Sequence, residues 1–162
     1  MAPRAQATIE SQLGKPLDFL RSIWALDHAL HARSKAMAKR NGLTGPQRLA
    51  LRIISTFPNI SSGELARVLH VHPSTLTGVL QRLEGHGLVA RTRDSTDGRR
   101  ALFAATKAGE KAATPVEFSI EGAVKKLLKR VSAHEAEVAQ QLIIDLADEL
   151  LEGTVSGGQR DE

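Results

Sequence analysis

The hydrophobic period of this chain changes after Gly87, from helical to strand-like, and that change limits the folds open to it. From Thr44 to Glu84 apolar residues recur at helical spacing, in segments broken by turn formers. Beyond Gly87, Leu88–Arg93 and Arg100–Ala105 read as two short strands, joined by the turn-rich Asp94-Ser95-Thr96-Asp97-Gly98. The expected product is a β-hairpin with a polar, charged tip.

Capping signals set the helix starts before that switch. Thr44 is a candidate N-cap with Pro46 in the first turn and Gln47 at the third position. Ser61 and Glu64 form a second capping box, opening a short helix with Leu65, Ala66 and Leu69 inward. His70-Val71-His72 reads as a turn, and Pro73 starts a helix that ends near Glu84, before Gly85 and Gly87. Two short helices across a tight turn, followed by a hairpin, make a winged helix-turn-helix layout.

Longer helical patterns flank this lobe. One runs from about Pro16 to Arg40 and stops at Gly42. Another runs from Thr106-Lys107-Ala108-Gly109 to about Arg130, and a last helix, Ala133 to Leu151, starts at a Ser132–Glu135 box. The expected fold is therefore mainly α with a small β-hairpin wing. Its expected parts are a flexible 1–14, an N-terminal arm helix over 15–42, a winged lobe over 43–106, C-terminal helices over 107–152 and a disordered tail over 153–162. Ala139, Leu142, Ile143, Leu146 and Leu150 form an apolar stripe on the last helix, and the first helix is apolar on more than one face. A small winged lobe offers too little surface to cover both, so a homodimer is the economical way to bury them; mutual coverage within a monomer is the alternative.

Composition removes several chemistries. With no Cys, thiolate zinc sites, disulfides and Cys nucleophiles are excluded. No Ser-His-Asp order, Gly-rich phosphate loop or metal-ligand cluster stands out, so an enzyme is not expected, nor a cofactor or metal. No stretch approaches a membrane span, and Met1–Gly14 lacks a secretory apolar run, so a cytoplasmic protein is expected. The net charge of +4 is segregated: Ser34–Arg52 holds five basic and no acidic residues, and Glu135–Glu152 holds six acidic and no basic ones. Segregation suggests one face made for an anion.

The helix from Pro73 carries Leu76, Val79, Leu80 and Leu83 on one stripe, and Ser74, Thr75, Thr77, Gly78, Gln81 and Arg82 on the other side. Such a polar face suits a DNA major groove: hydroxyls meet phosphates or base edges, and Gln and Arg make bidentate base contacts. Gly78 lets backbone approach the duplex. The alternative is an ordinary solvated face. The hairpin adds Arg91, Arg93, Arg99 and Arg100, with Arg99 suited to a minor groove. Asp97 is expected to orient an Arg of the tip through a charge-assisted hydrogen bond.

At these residues the chain resembles the MarR family of bacterial regulators. The likeness lies in Leu43–Leu51, Ser62-Gly63-Glu64-Leu65-Ala66, Thr75–Val89, Arg91, Asp94, Asp97, Arg99, Arg100 and Thr106-Lys107-Ala108-Gly109. It implies a sequence-specific DNA-binding regulator, usually a repressor, acting as a homodimer on a pseudo-palindromic site. It places Ser74, Thr75, Thr77 and Arg82 on the recognition helix, Arg99 at the wing tip, and Asp97 as its acidic support. Gly98 departs from the larger polar residue many relatives carry. The resemblance also implies a small effector, aromatic or acidic, with Trp24 and His28, one turn apart, as candidate contacts. Two alternatives stand beside it: Trp24 as core packing with His28 on the surface, and an architectural DNA-binding protein without an effector. His28 and His31 lie at a spacing that can present two imidazoles to a metal, and His70 and His72 are placed against DNA backbone or solvent.

Overall fold

The computed structural model describes residues 14–155, which divide into two compact units after Ile120. The first unit holds α1 (Gly14–Asn41), α2 (Gly45–Thr56), β1 (Ile60–Ser61), α3 (Ser62–Val68), α4 (Pro73–Gly85), β2 (Val89–Arg93), β3 (Ala101–Ala105) and α5 (Lys107–Ala113). Helix α6 (Ile120–Leu128) begins at the division, and the second unit continues with α7 (Ala133–Val155). Among the described residues the chain is thus mostly helical, with one small antiparallel sheet. The expected flexible start lies outside the described residues except for Gly14, which begins α1. Of the expected tail, Gly153–Val155 is the end of α7, and 156–162 lies outside the described residues.

Local chemistry sets the boundaries. Gly42 takes φ +75° and donates its N–H to the Ala38 carbonyl at 2.9 Å, ending α1 in the left-handed region that glycine enters without strain. Thr44 caps α2: its hydroxyl accepts from Gln47 N–H at 3.4 Å while Gln47 Oε1 accepts from Thr44 N–H at 2.9 Å. Ser61 and Glu64 repeat the device at α3, and Ser132 and Glu135 at the start of α7.

The core lies under the helix-turn-helix. Leu51, Ile54, Leu65, Leu76 and Leu83 are essentially dry, and Leu80, Val89 and Phe103 close around them. The sheet has the order β1-β3-β2, so the expected hairpin gains a third strand. Ile60 pairs with Phe103, which faces Arg91 on its other side. Asn59, at φ +66°, donates to the Phe103 carbonyl at 2.9 Å and brings β1 alongside β3.

The helical region expected from Thr106 to Arg130 is divided into two helices. Helix α5 stops at Ala113, and Pro115 holds Thr114 in an extended conformation, φ −54° and ψ 136°. The last carbonyls of α5 are met by arginines of α2. Arg48 Nη1 donates to Ala112 O at 2.8 Å, its Nη2 donates to Thr114 O, and Arg52 Nη1 donates to Ala113 O at 3.1 Å. Cations at a helix C-terminus satisfy both its orphan acceptors and its dipole. Arg48 is buried. Two members of the basic run assigned to an anion-binding face therefore hold the lobe together instead. Arg40, with Arg33, stacks on Phe118, the guanidinium carbons lying 5.1 and 4.4 Å from the ring centre.

Gly109 marks the tightest joint. A Cβ there would lie 1.9 Å from the Leu88 carbonyl oxygen, where α5 crosses the start of the wing. Gly109→Ala should destabilise the lobe by about 1–3 kcal/mol in urea unfolding. Gly63→Ala, whose added carbon meets open space, serves as the control. Equal stability of the two variants would mean the crossing yields freely.

Candidate nucleic-acid interface

Helix α4 is oriented by its leucines. Leu76, Leu80 and Leu83 are buried and Val79 packs beside them, so the opposite face turns outward along its whole length. Ser74, Thr75, Thr77, Gly78, Gln81 and Arg82 are all exposed. A carbon added at Gly78 would meet nothing within 4 Å, so the groove left by the missing side chain is open. The helix starts at His72, whose Nδ1 accepts from Ser74 N–H at 3.3 Å and lies 2.8 Å from Ser74 Oγ. Thr77 Oγ1 donates to the Pro73 carbonyl at 3.0 Å.

The hairpin projects from this lobe. Val89 is buried at its root, while Arg91, Arg93, Asp97, Arg99 and Arg100 are exposed. Register puts Arg91 and Arg93 on the face shared by Val89 and Phe103. The tip is tied by its own bonds: Thr96 N–H and hydroxyl donate to Asp94 Oδ1 at 2.8 and 2.7 Å, and Asp94 N–H donates to Arg100 O at 3.0 Å. Those Thr96 bonds hold the Asp94 carboxyl below its ordinary titration range. Asp97 supports the tip differently from expectation. Its Oδ1 accepts from the backbone N–H of Arg99 at 3.1 Å, so it fixes the turn that carries the arginine and leaves the guanidinium to solvent.

Arg100 is placed apart from the other wing arginines. Its Nη2 donates to Ser61 Oγ at 3.3 Å and lies 3.4 Å from Glu64 Oε2. It fastens the tip end of β3 to the start of α3. Glu64 is held below the usual carboxylate range, first by the Ser61 hydroxyl and then by Ser61 N–H, at 2.5 and 2.9 Å. Burial opposes this, and Arg100 and Arg67 add attraction.

On α1, Trp24 is 66% exposed, which overturns core packing for it within the chain. It lines a shallow apolar groove with Leu17, Leu20 and Arg21. His28 is exposed one turn further on. His31 turns toward Asp27, its Nδ1 lying 3.1 Å from the carboxylate, rather than converging with His28.

Sequence reasoning missed β1, the helix-capping role of His72 and the inward turn of Arg100. The cap was available from position, because a proline at the first helical position makes the residue before it the N-cap. The strand and the arginine contact were not, since both depend on pairing across distant segments.

A model of the MarR family matches residues 43–101, from just before α2 to the first residue of β3. An HTH-type transcriptional repressor of Mycobacterium tuberculosis is 30% identical over 134 residues, spanning 83% of this chain and 95% of that protein. The chain belongs to the MarR family. It is a DNA-binding transcription regulator and not an enzyme. Among solved structures, the PcaV transcriptional regulator of Streptomyces coelicolor, in complex with its natural ligand, is 26% identical, covers 83% of this chain and 93% of that one, and aligns with a TM-score of 0.66. The MepR–DNA complex of S. aureus, 18% identical, covers 82% and 97% with a TM-score of 0.67 and shows the same fold.

In this MarR-family lobe the Glu64 contacts yield a pH signature. A carboxylate with a depressed folded pKa contributes stability above its unfolded value and loses it as pH falls through the folded one. Glu64→Gln keeps the capping geometry but not the charge. The stability gap between parent and variant should be widest at neutral pH and close in acid. A gap independent of pH would remove the ionised contact from the account.

Proposed function

We propose that the chain is a sequence-specific repressor that binds a pseudo-palindromic duplex site as a homodimer and is released by a small effector. One observation carries the DNA part of this reading: the polar face of α4 is exposed from Ser74 to Arg82, beside a wing tip whose own hydrogen bonds hold Arg99 outward. A helix in the major groove and an arginine in the adjacent minor groove use that arrangement fully. Ser74, Thr75, Thr77, Gly78, Gln81 and Arg82 are the proposed groove contacts. Arg91, Arg93 and Arg99 are the proposed wing contacts, with Asp97 fixing the tip and Arg100 tying it back to Ser61 and Glu64. Arg99→Ala should weaken binding to a selected site and reduce the slope of log K against log salt by about one unit. An unchanged slope would take the wing tip out of the interface.

The dimer part rests on uncovered apolar residues. Leu17, Leu20 and Trp24 on α1, and Leu142, Ile143 and Leu150 on α7, are each more than two-fifths exposed in the single chain. Surfaces of this kind mark association sites. A second copy also supplies the second recognition helix that a pseudo-palindrome demands. Sedimentation should give twice the chain mass, and removal of 131–162 should leave a monomer or an unfolded chain; a folded dimer after that truncation would move the interface elsewhere.

For the effector we place a small aromatic or acidic molecule against Trp24 and His28. A ligand-bound relative supports effector control in general. Exposed Trp24 is the only tryptophan, so its fluorescence should respond to titration with aromatic acids that release DNA; release with a flat signal would place the effector elsewhere. Among the described residues no helix is long and apolar enough to cross a membrane, and the cytoplasm, where the DNA is, is the proposed location.

A further inference from the structure

The hydroxyls at the start of α4 have a preferred polarity. The cap at His72 accepts from Ser74 N–H, 3.3 Å from Nδ1, which assigns the ring hydrogen to Nε2. The 2.8 Å contact between Ser74 Oγ and the same nitrogen is then an O–H donating to Nδ1. At Thr77 the direction is set by the partner: the Pro73 carbonyl can only accept, so the hydroxyl donates, at 3.0 Å. Each hydroxyl has used its one hydrogen within the protein. In this arrangement Ser74 and Thr77 turn lone pairs outward.

The two residues are three apart on one exposed helical face. Phosphate oxygens, guanine O6 and N7, and thymine O4 are themselves acceptors and gain nothing from such a face. The major-groove donors are the amino groups of adenine N6 and cytosine N4. We infer that Ser74 and Thr77 read amino-bearing bases, adenine or cytosine, at two positions of each half-site, and that His72 is the positioning residue that locks Ser74 in its accepting state. This rests on the reading of α4 as the DNA-reading helix and deepens it: it names the bases these hydroxyls select.

The test begins with selection of bound duplexes from a random pool by the full chain, by Ser74→Ala and by Thr77→Val. The parent should select adenine or cytosine at two positions per half-site, one losing its preference in each variant. At the Ser74 position the amino group is then deleted, with purine replacing adenine or 2-pyrimidinone replacing cytosine. The deletion should weaken the parent about fivefold, the scale of one net hydrogen bond, and leave Ser74→Ala unaffected. His72→Ala should blur the preference at that position alone, and His72→Asn, which keeps an acceptor at the cap, should restore it. A cap with a purely structural role would instead lower affinity for every sequence by one factor. The inference is overturned if the two positions select guanine or thymine, or if deleting the amino group costs parent and Ser74→Ala equally. A site selected with no dependence on Ser74 or Thr77 overturns this inference and spares the DNA-reading helix; a chain that enriches no duplex overturns both.

Discussion

Burial of three leucines on one helix is the constraint from which the interface follows. Leu76, Leu80 and Leu83 are nearly or wholly inaccessible to water, and each contributes about 1.5–3 kcal/mol by leaving it. Turning α4 about its axis would expose that stripe and bury Ser74, Thr77 and Gln81 without compensating hydrogen bonds, so both sides of the exchange are unfavourable. The helix thus has one stable rotation. Its polar face is exposed because its apolar face has nowhere else to go, and the wing, rooted by Val89 and Phe103 in the same core, inherits its position from it.

Around that core the arginines divide by the partner each has found. Arg48 and Arg52 hold carbonyls at the end of α5, and Arg100 holds Ser61 beside Glu64. These cations fix α2 to the end of α5, and the tip end of β3 to the start of α3. Arg91, Arg93 and Arg99 are exposed on the ribbon. Net charge thus overstates the surface available to a polyanion, since part of the basic excess is structural. The tip follows the same economy: Asp94 and Asp97 bond to backbone and to a hydroxyl, which satisfies the turn amides.

Most of the lobe was legible in the sequence, because its signals are local. Thr44–Gln47, Ser61–Glu64 and Ser132–Glu135 each close within one turn, and all three boxes form as read. The leucine stripe of α4 repeats often enough to fix its buried face. What failed was non-local. Strand β1 is two residues long, too short for alternation to register, and exists because Asn59 turns the chain onto β3. The break after α5 was marked by Pro115, but the arginines that make it tolerable come from more than sixty residues earlier. Arg100 reads as a wing-tip cation until its partner, thirty-nine residues away, is brought near. Trp24 shows the opposite limit: an apolar residue at helical spacing signals a face that needs covering, not what covers it.

The central claim is that one side of α4 lies in a groove of duplex DNA with the wing tip in the next. The chain has no cysteine, so single cysteines at Gln81 and Gly98 can each carry a tethered iron chelate that cuts DNA locally. On a selected duplex the account predicts two separate, sharply bounded cutting zones in each half-site, the Gln81→Cys zone inside the bases whose identity affects affinity and the Gly98→Cys zone beside it. Cuts scattered along the duplex from either position, or coincident zones from both, would contradict it.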